Sequence, residues 1–187
     1  DRYYVLEASD GQSGWKLARE SVPDLVISDV MMPVMDGLTF CAKLKADPLT
    51  SHIPVILLTA RSTEQQQAEG LSQGADAYLT KPFSAEVLIA HIVSLLANRQ
   101  KLKEAFAAEK QQTNDNHEQD EKLSTPDKMF MDTLRQAILK NMSNTKLKMD
   151  DLGADMGISR VQLYRKVKAM TGMSPVELLK EMRLQRA

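Results

Sequence analysis

At 187 residues, with 43% hydrophobic and 26% charged residues, the chain has the make-up of an ordinary globular protein, with room for one sizeable domain or two small ones. A single cysteine, Cys41, excludes an internal disulfide framework and suits a reducing cytoplasm, and no apolar run approaches the ~20 residues that cross a bilayer. The net charge of −1 conceals an asymmetry. Residues 1–100 carry 8 Lys+Arg against 12 Asp+Glu, whereas residues 127–187 carry 12 against 7. An acidic front module and a basic back module are therefore expected, the second with a polyanion as candidate partner.

Taken in chain order, the first hundred residues alternate short apolar runs with amphipathic stretches. The runs Tyr4–Ala8, Leu25–Ser28, Val55–Leu58 and Ala77–Leu79 predict four strands. The middle two do not alternate with polar residues, the pattern of a parallel sheet covered by helices on both faces. Helices are predicted over Gly11–Ser21, with Trp15, Ala18 and Val22 in step, over Leu38–Ala46, and over Glu64–Ser72. A further helix starts near Ser84, with a stripe of Leu88, Ile92 and Leu95 that continues to Leu102 and Phe106. This alternation predicts a doubly wound α/β domain over residues 1–106. Residues 107–126 are dominated by Gln, Asn, Asp, Glu and Lys, and read as a polar linker.

Only helical periodicity follows, over residues 127–187. Thr125-Pro126-Asp127 reads as a helix start with Thr as cap, and Phe130, Leu134 and Ile138 mark one buried face. Met149–Met156 reads as a short helix with Asp150 and Asp151 near its positive end, stopped by Gly157. Ser159 and Gln162 then form a capping box for the next helix. Two helices joined by a tight glycine turn make a helix-turn-helix. On the second helix Leu163, Val167 and Met170 are expected in the core. Val161, Tyr164, Arg165 and Lys168 share another face, with Arg160 at the amino end. Such a face suits the DNA major groove, where arginine pairs with guanine, while Lys166 and Lys168 would reach phosphates. A small bundle with a basic, solvated face is the competing reading. Gly172 ends this helix, and Ser174-Pro175-Val176-Glu177 starts another that runs through Leu178, Met182 and Leu184 toward Ala187.

Chemistry in an open parallel sheet gathers beyond the carboxyl ends of its strands. Asp29, Thr59 and Lys81 each follow an apolar run and would meet there. Singly they read as a turn cap, a strand end and a surface lysine. Together they offer a carboxylate nucleophile, a hydroxyl donor and a cation for phosphate oxygens. Asp36, before Gly37, reads as a helix cap.

Ser28-Asp29-Val30-Met31-Met32-Pro33-Val34-Met35-Asp36-Gly37, Leu58-Thr59-Ala60 and Leu79-Thr80-Lys81-Pro82-Phe83 resemble the receiver domain of two-component response regulators, a CheY-like fold, from Tyr3 to about Asn98. The resemblance implies that Asp29 accepts a phosphoryl group from a histidine kinase, in cis or in trans. It also implies that Thr59 moves to bind the phosphate, that Tyr78 changes rotamer with it, and that Lys81 contacts the phosphate and precedes a cis proline. Mg²⁺ is the implied cofactor of the intact receiver. The family's first strand and its acidic pair are not in this sequence, which leaves Asp29 and the Met31 carbonyl as metal ligands. The chain is accordingly expected to be a fragment that binds Mg²⁺ and accepts phosphate poorly or not at all, and to be no enzyme itself. Residues 127–187, through Ile158–Gly172, Ser174-Pro175 and Arg183-Leu184, resemble the first helix-turn-helix and bridging helix of an AraC-type DNA-binding domain, with Val161, Tyr164 and Arg165 at base-contacting positions. The combination is similar to the cytoplasmic carboxyl end of a Bacteroides-type hybrid histidine kinase held in the inner membrane, and also to a free response regulator. Its implied partners are double-stranded operator DNA and, in the full-length protein, a second copy. Two other functions fit parts of the pattern. An aspartate-dependent phosphohydrolase would carry a second acid two residues after Asp29, where Met31 stands, and the helical end could bind protein in place of DNA. His52 and His91 have no companions at metal-ligand spacing, and the surroundings of His117-Glu118 lack the apolar helix that a kinase phosphoacceptor histidine needs.

Overall fold

In the computed structural model, which describes residues 3–60, 74–109, 124–142, 144 and 147–184, the chain divides into two compact units, residues 1–98 and 99–187. The division falls within a single helix, Ala85–Glu109. The predicted helix over Glu64–Ser72, the side chains of Leu102 and Phe106, most of the polar linker with His117, and the last three residues lie outside the described residues.

The first unit is built on strands β1 (Val26–Asp29), β2 (Val55–Thr59) and β3 (Ala77–Thr80), all parallel and in the order β1-β2-β3. Helices α1 (Gly11–Ser21) and α2 (Gly37–Ala46) flank β1 in sequence, and α3 (Ala85–Glu109) follows β3. Successive side chains on a strand point to opposite faces, and in β2 both faces are buried. Val55 and Leu57 join Ala18, Val22, Phe40, Cys41 and Leu44 in one core. Ile56 joins Ala77 and Leu79 in another, against Leu88, Ile92 and Leu95 of α3. The sheet is thus covered on both sides, which is why β2 tolerates no polar alternation.

Two strand expectations change. Residues 4–8 form no strand and Tyr4 is 90% exposed, because among the described residues no neighbouring strand takes up their backbone hydrogen bonds. Ile27 is 41% exposed although its run looked fully buried, because β1 is the edge of the described sheet. Asp10 caps α1 by accepting from the amides of Gln12 and Ser13. Gly11 at the first position of α1 has no room for a side chain, since a Cβ there would stand 2.4 Å from the Met35 carbonyl oxygen, to which its own amide donates.

The second unit packs α4 (Thr125–Lys140), α5 (Met149–Asp155), α6 (Arg160–Thr171) and α7 (Pro175–Leu184) around Phe130, Leu134, Ile138, Leu152, Leu163, Val167, Met170 and Leu178. Ser124 caps α4, displacing Thr125 from that role: the Ser124 hydroxyl accepts from the Asp127 amide and donates to its carboxylate, and Pro126 sits within the first turn. The turn between α5 and α6 runs through Gly157 at φ 67°. It presses so close to α5 that a Cβ on Gly153 would lie 2.8 Å from the Ile158 carbonyl oxygen. The capping boxes at Ser159/Gln162 and Ser174/Glu177 form as read from the sequence. Leu184, by contrast, is exposed and adds nothing to the α7 core face. Leu134 is fully buried at the centre of this core. Leu134→Ala should therefore cost about 2–5 kcal/mol, read as a lowered urea midpoint for the helical unit.

Candidate functional site

The carboxyl ends of the three strands are tied together by the backbone. In the parallel register Asp29 faces Leu58 and Thr59 faces Thr80. Just beyond, the Val30 amide donates to the Leu58 carbonyl at 2.8 Å and the Lys81 amide to the Thr59 carbonyl at 2.7 Å. The strand ends therefore finish level, and the Lys81 ammonium ion-pairs with Oδ2 of Asp29 across the width of the sheet. The Met31 amide donates to Oδ1 at 3.1 Å. Thr59 is buried at the end of β2, between β1 and β3. Tyr78, level with Leu57 on the next strand, packs against the core shared with α1 and α2. The Lys81–Pro82 peptide is cis, as the resemblance implies.

Partial burial pushes the Asp29 carboxyl upward. The hydrogen bond from Lys81, the Met31 amide, the Lys81 charge and the Val30 amide outweigh it, and the group is held below the usual carboxylate range. Asp29 is thus ionised at neutral pH while its side chain stays 36% exposed, a carboxylate open to an incoming electrophile.

Two neighbours shape this site. Asp36 caps α2, accepting from the Thr39 amide at 2.7 Å, the structural role expected of it. Gly37 was not singled out by sequence reasoning, yet a Cβ there would fall 2.1 Å from the Asp29 carbonyl oxygen. Its amide donates to the Val30 carbonyl. Only glycine lets α2 start this close behind the acidic residue. A glycine directly after a helix-capping aspartate is the signal that could have found it.

Magnesium takes near-octahedral oxygen ligation, built from one or two carboxylates and further oxygens. The donors that the receiver resemblance offers here are the Asp29 carboxylate, which is engaged by Lys81, and the backbone carbonyl of Met31. Among the described residues no group of three or more His, Cys, Asp or Glu side chains could hold a metal ion. These residues do not by themselves fit a magnesium site.

The outer face of α6 is the second candidate site. Val161 is 53% and Tyr164 45% exposed, and Arg160, Arg165 and Lys168 are exposed beside them. Lys168 lies over the Tyr164 ring, 5.5 Å from its centroid, and Arg160 reaches Asp150 on α5 at 3.7 Å. Lys166 does not belong to this surface. It is 0% exposed and ion-paired with Asp127, so the expectation that it reaches phosphates is wrong. The reason is helical spacing: Leu163, Lys166, Val167 and Met170 follow the i, i+3, i+4, i+7 stripe that faces the core.

Among known proteins, the family described as response regulator receiver domain matches residues 1–93. Histidine kinase P4 of Formosa agariphila is 39% identical over 185 residues, 99% of this chain and 13% of that protein. The DNA-binding dual master transcriptional regulator RpaA of Synechocystis is 42% identical over 103 residues, 55% of this chain and 43% of that protein. The chain thus spans less than half the length of either relative. A response regulator receiver domain protein (CheY-like) of Methanospirillum hungatei is similar in structure, with a TM-score of 0.50 and 25% identity, over 54% of this chain and 78% of that one. No helix among the described residues is long and apolar enough to cross a membrane.

Since Lys81 lowers the Asp29 pKa, Lys81→Met should raise it, seen as a higher titration midpoint of the Asp29 carboxyl carbon by NMR. In the unsubstituted protein the pair's contribution to stability is fully present above the unfolded carboxylate value of about 3.9. It is lost as pH falls through the depressed folded value. Lys81→Met should flatten that acid limb.

Proposed function

We propose that this chain, whose residues 1–93 belong to the response regulator receiver family, is the receiver and part of the output of a phosphorylation-controlled DNA-binding regulator, with Asp29 as the phosphoryl acceptor. The observation that carries this reading is the contact of the Lys81 ammonium with the Asp29 carboxylate at level strand ends. In the reaction, an Asp29 carboxylate oxygen attacks the phosphorus of a phosphohistidine. The P–N bond breaks, its electron pair stays on the imidazole nitrogen, and a mixed carboxylic–phosphoric anhydride forms on Asp29. Lys81 exchanges a carboxylate partner for phosphoryl oxygens, and the Thr59 hydroxyl is the neighbouring donor for one of them. Loss of the carboxylate charge to the anhydride releases the ion pair, which makes the site a two-state element.

For the output, the exposed Val161, Tyr164 and Arg165 on α6 support the reading of an AraC-type recognition helix, with Arg160 and Lys168 as flanking positive charge. Identity to a histidine kinase across 99% of the chain supports placing both units in a hybrid kinase, with its own kinase domain as the donor. The resemblance to RpaA, named as DNA-binding, supports a transcriptional output.

Whatever label radiolabelled acetyl phosphate leaves on the chain should sit on Asp29, and Asp29→Asn should remove it. Label that persists in Asp29→Asn would place the acceptor elsewhere. In gel shifts against sequences selected from random DNA, Arg165→Ala should cost about 1–3 kcal/mol in specific binding. Absence of any shift at low salt would mean the helical unit is not a DNA-binding module.

A further inference from the structure

The side chain of Lys166 has no solvent exposure and that of Asp127 only 10%, and the two are in direct contact. The other Asp127 oxygen takes a 2.8 Å hydrogen bond from the Ser124 hydroxyl, which itself caps α4. The Lys166 ammonium also stands over the Phe130 ring, 5.4 Å from its centre. One buried charge is therefore held by a carboxylate and a ring face, both on the first turns of α4. The residue that supplies it lies in the middle of α6, between Arg165 on the outer face and Val167 in the core.

Apolar packing alone lets one helix slide or roll on another at small cost, because its contacts are weak and non-directional. A buried, hydrogen-bonded ion pair fixes distance and direction, and replacing both partners with well-packed hydrophobic residues of similar volume is often close to neutral for stability. Such a pair can set geometry without being the source of the fold's free energy. We infer that Asp127 and Lys166 form a buried latch that sets the angle of α6 on α4, so that Lys166 is a specificity-positioning residue that never touches DNA. This rests on the DNA-binding reading of α6. It assigns to Lys166 the opposite of a phosphate contact: the lysine aims Val161, Tyr164 and Arg165 by holding the helix that carries them.

The test uses the whole chain, with a duplex selected from a random-sequence pool and a scrambled duplex of equal length. In the double variant D127N/K166M the ratio of selected to scrambled affinity should fall roughly tenfold or more, the size of one lost base contact. The slope of log affinity against log salt should stay unchanged. Asp127→Asn alone leaves the lysine in place and should lose discrimination in the same way. A slope reduced by about 1 with discrimination kept would make Lys166 a phosphate contact and overturn the inference. Discrimination and slope both at the unsubstituted level would overturn it as well. Should the neutral variants fail to fold, Lys166→Arg retains the charge pair at a different length and should alter base preference at constant slope; unaltered preference rejects the latch. If the unsubstituted chain selects no sequence, the DNA reading fails by itself. The latch is then judged by amide exchange of residues 160–171 in D127N/K166M, where faster exchange supports it and unchanged exchange refutes it.

Discussion

A single ion pair across the end of a parallel sheet organises the first unit. Asp29 ends β1 and Lys81 follows β3, with β2 between them. Their meeting demands that three strands finish level, which the register and the two backbone hydrogen bonds beyond it secure. It also demands that the chain leave Asp29 tightly, which Gly37 permits by letting α2 begin against the Asp29 carbonyl. Packing of α1 and α2 on one face of β2 and of α3 on the other then supports the strand ends. A carboxylate held ionised by a lysine, and still reachable from solvent, has the charge and access that a nucleophile needs. Bound in a phosphoric anhydride, it could no longer hold the lysine in the same way.

The second unit contains the same kind of pair put to another use. Asp127 and Lys166 are buried where Asp29 and Lys81 are partly open. An exposed pair can be broken by a ligand, because water and a new anion compensate each partner. A buried pair resists exchange, because each partner alone in the core would carry a large desolvation cost. Reactivity and geometric fixation thus follow from the depth at which similar charges meet. The residues left outside on α6, Val161, Tyr164, Arg165 and Lys168, form a mixed apolar and basic surface, while the stripe from Leu163 to Met170 is spent on the core.

Much of this was legible in the sequence because periodicity is set by local geometry. The strands β1 to β3, the helices α1 and α2 and the capping boxes at Ser159 and Ser174 fall within a residue of their predicted positions. The failures arose where a residue's type spoke louder than its position. Lys166 was read as surface because it is charged, although its spacing from Leu163 and Met170 places it inward and a partner 39 residues away satisfies it. Thr125 was preferred as a cap because Pro126 follows it, while the reciprocal bonding of Ser124 with Asp127 decides the helix start. The Tyr4–Ala8 run has strand composition, but a strand exists only by pairing, and composition does not reveal the pair. The need for glycine at position 37 is harder to read, because the clash it avoids involves the backbone of a residue eight positions earlier.

The central claim is that the carboxylate paired with Lys81 is the group that takes the phosphoryl charge. Borohydride reduction converts an aspartyl phosphate to homoserine, which peptide mass mapping locates to the residue. After treatment with a phosphodonor, whatever homoserine forms is predicted at position 29 and is predicted to vanish in Asp29→Asn. Homoserine at Asp10, Asp24, Asp36 or another aspartate, with Asp29 unmodified, would contradict the account.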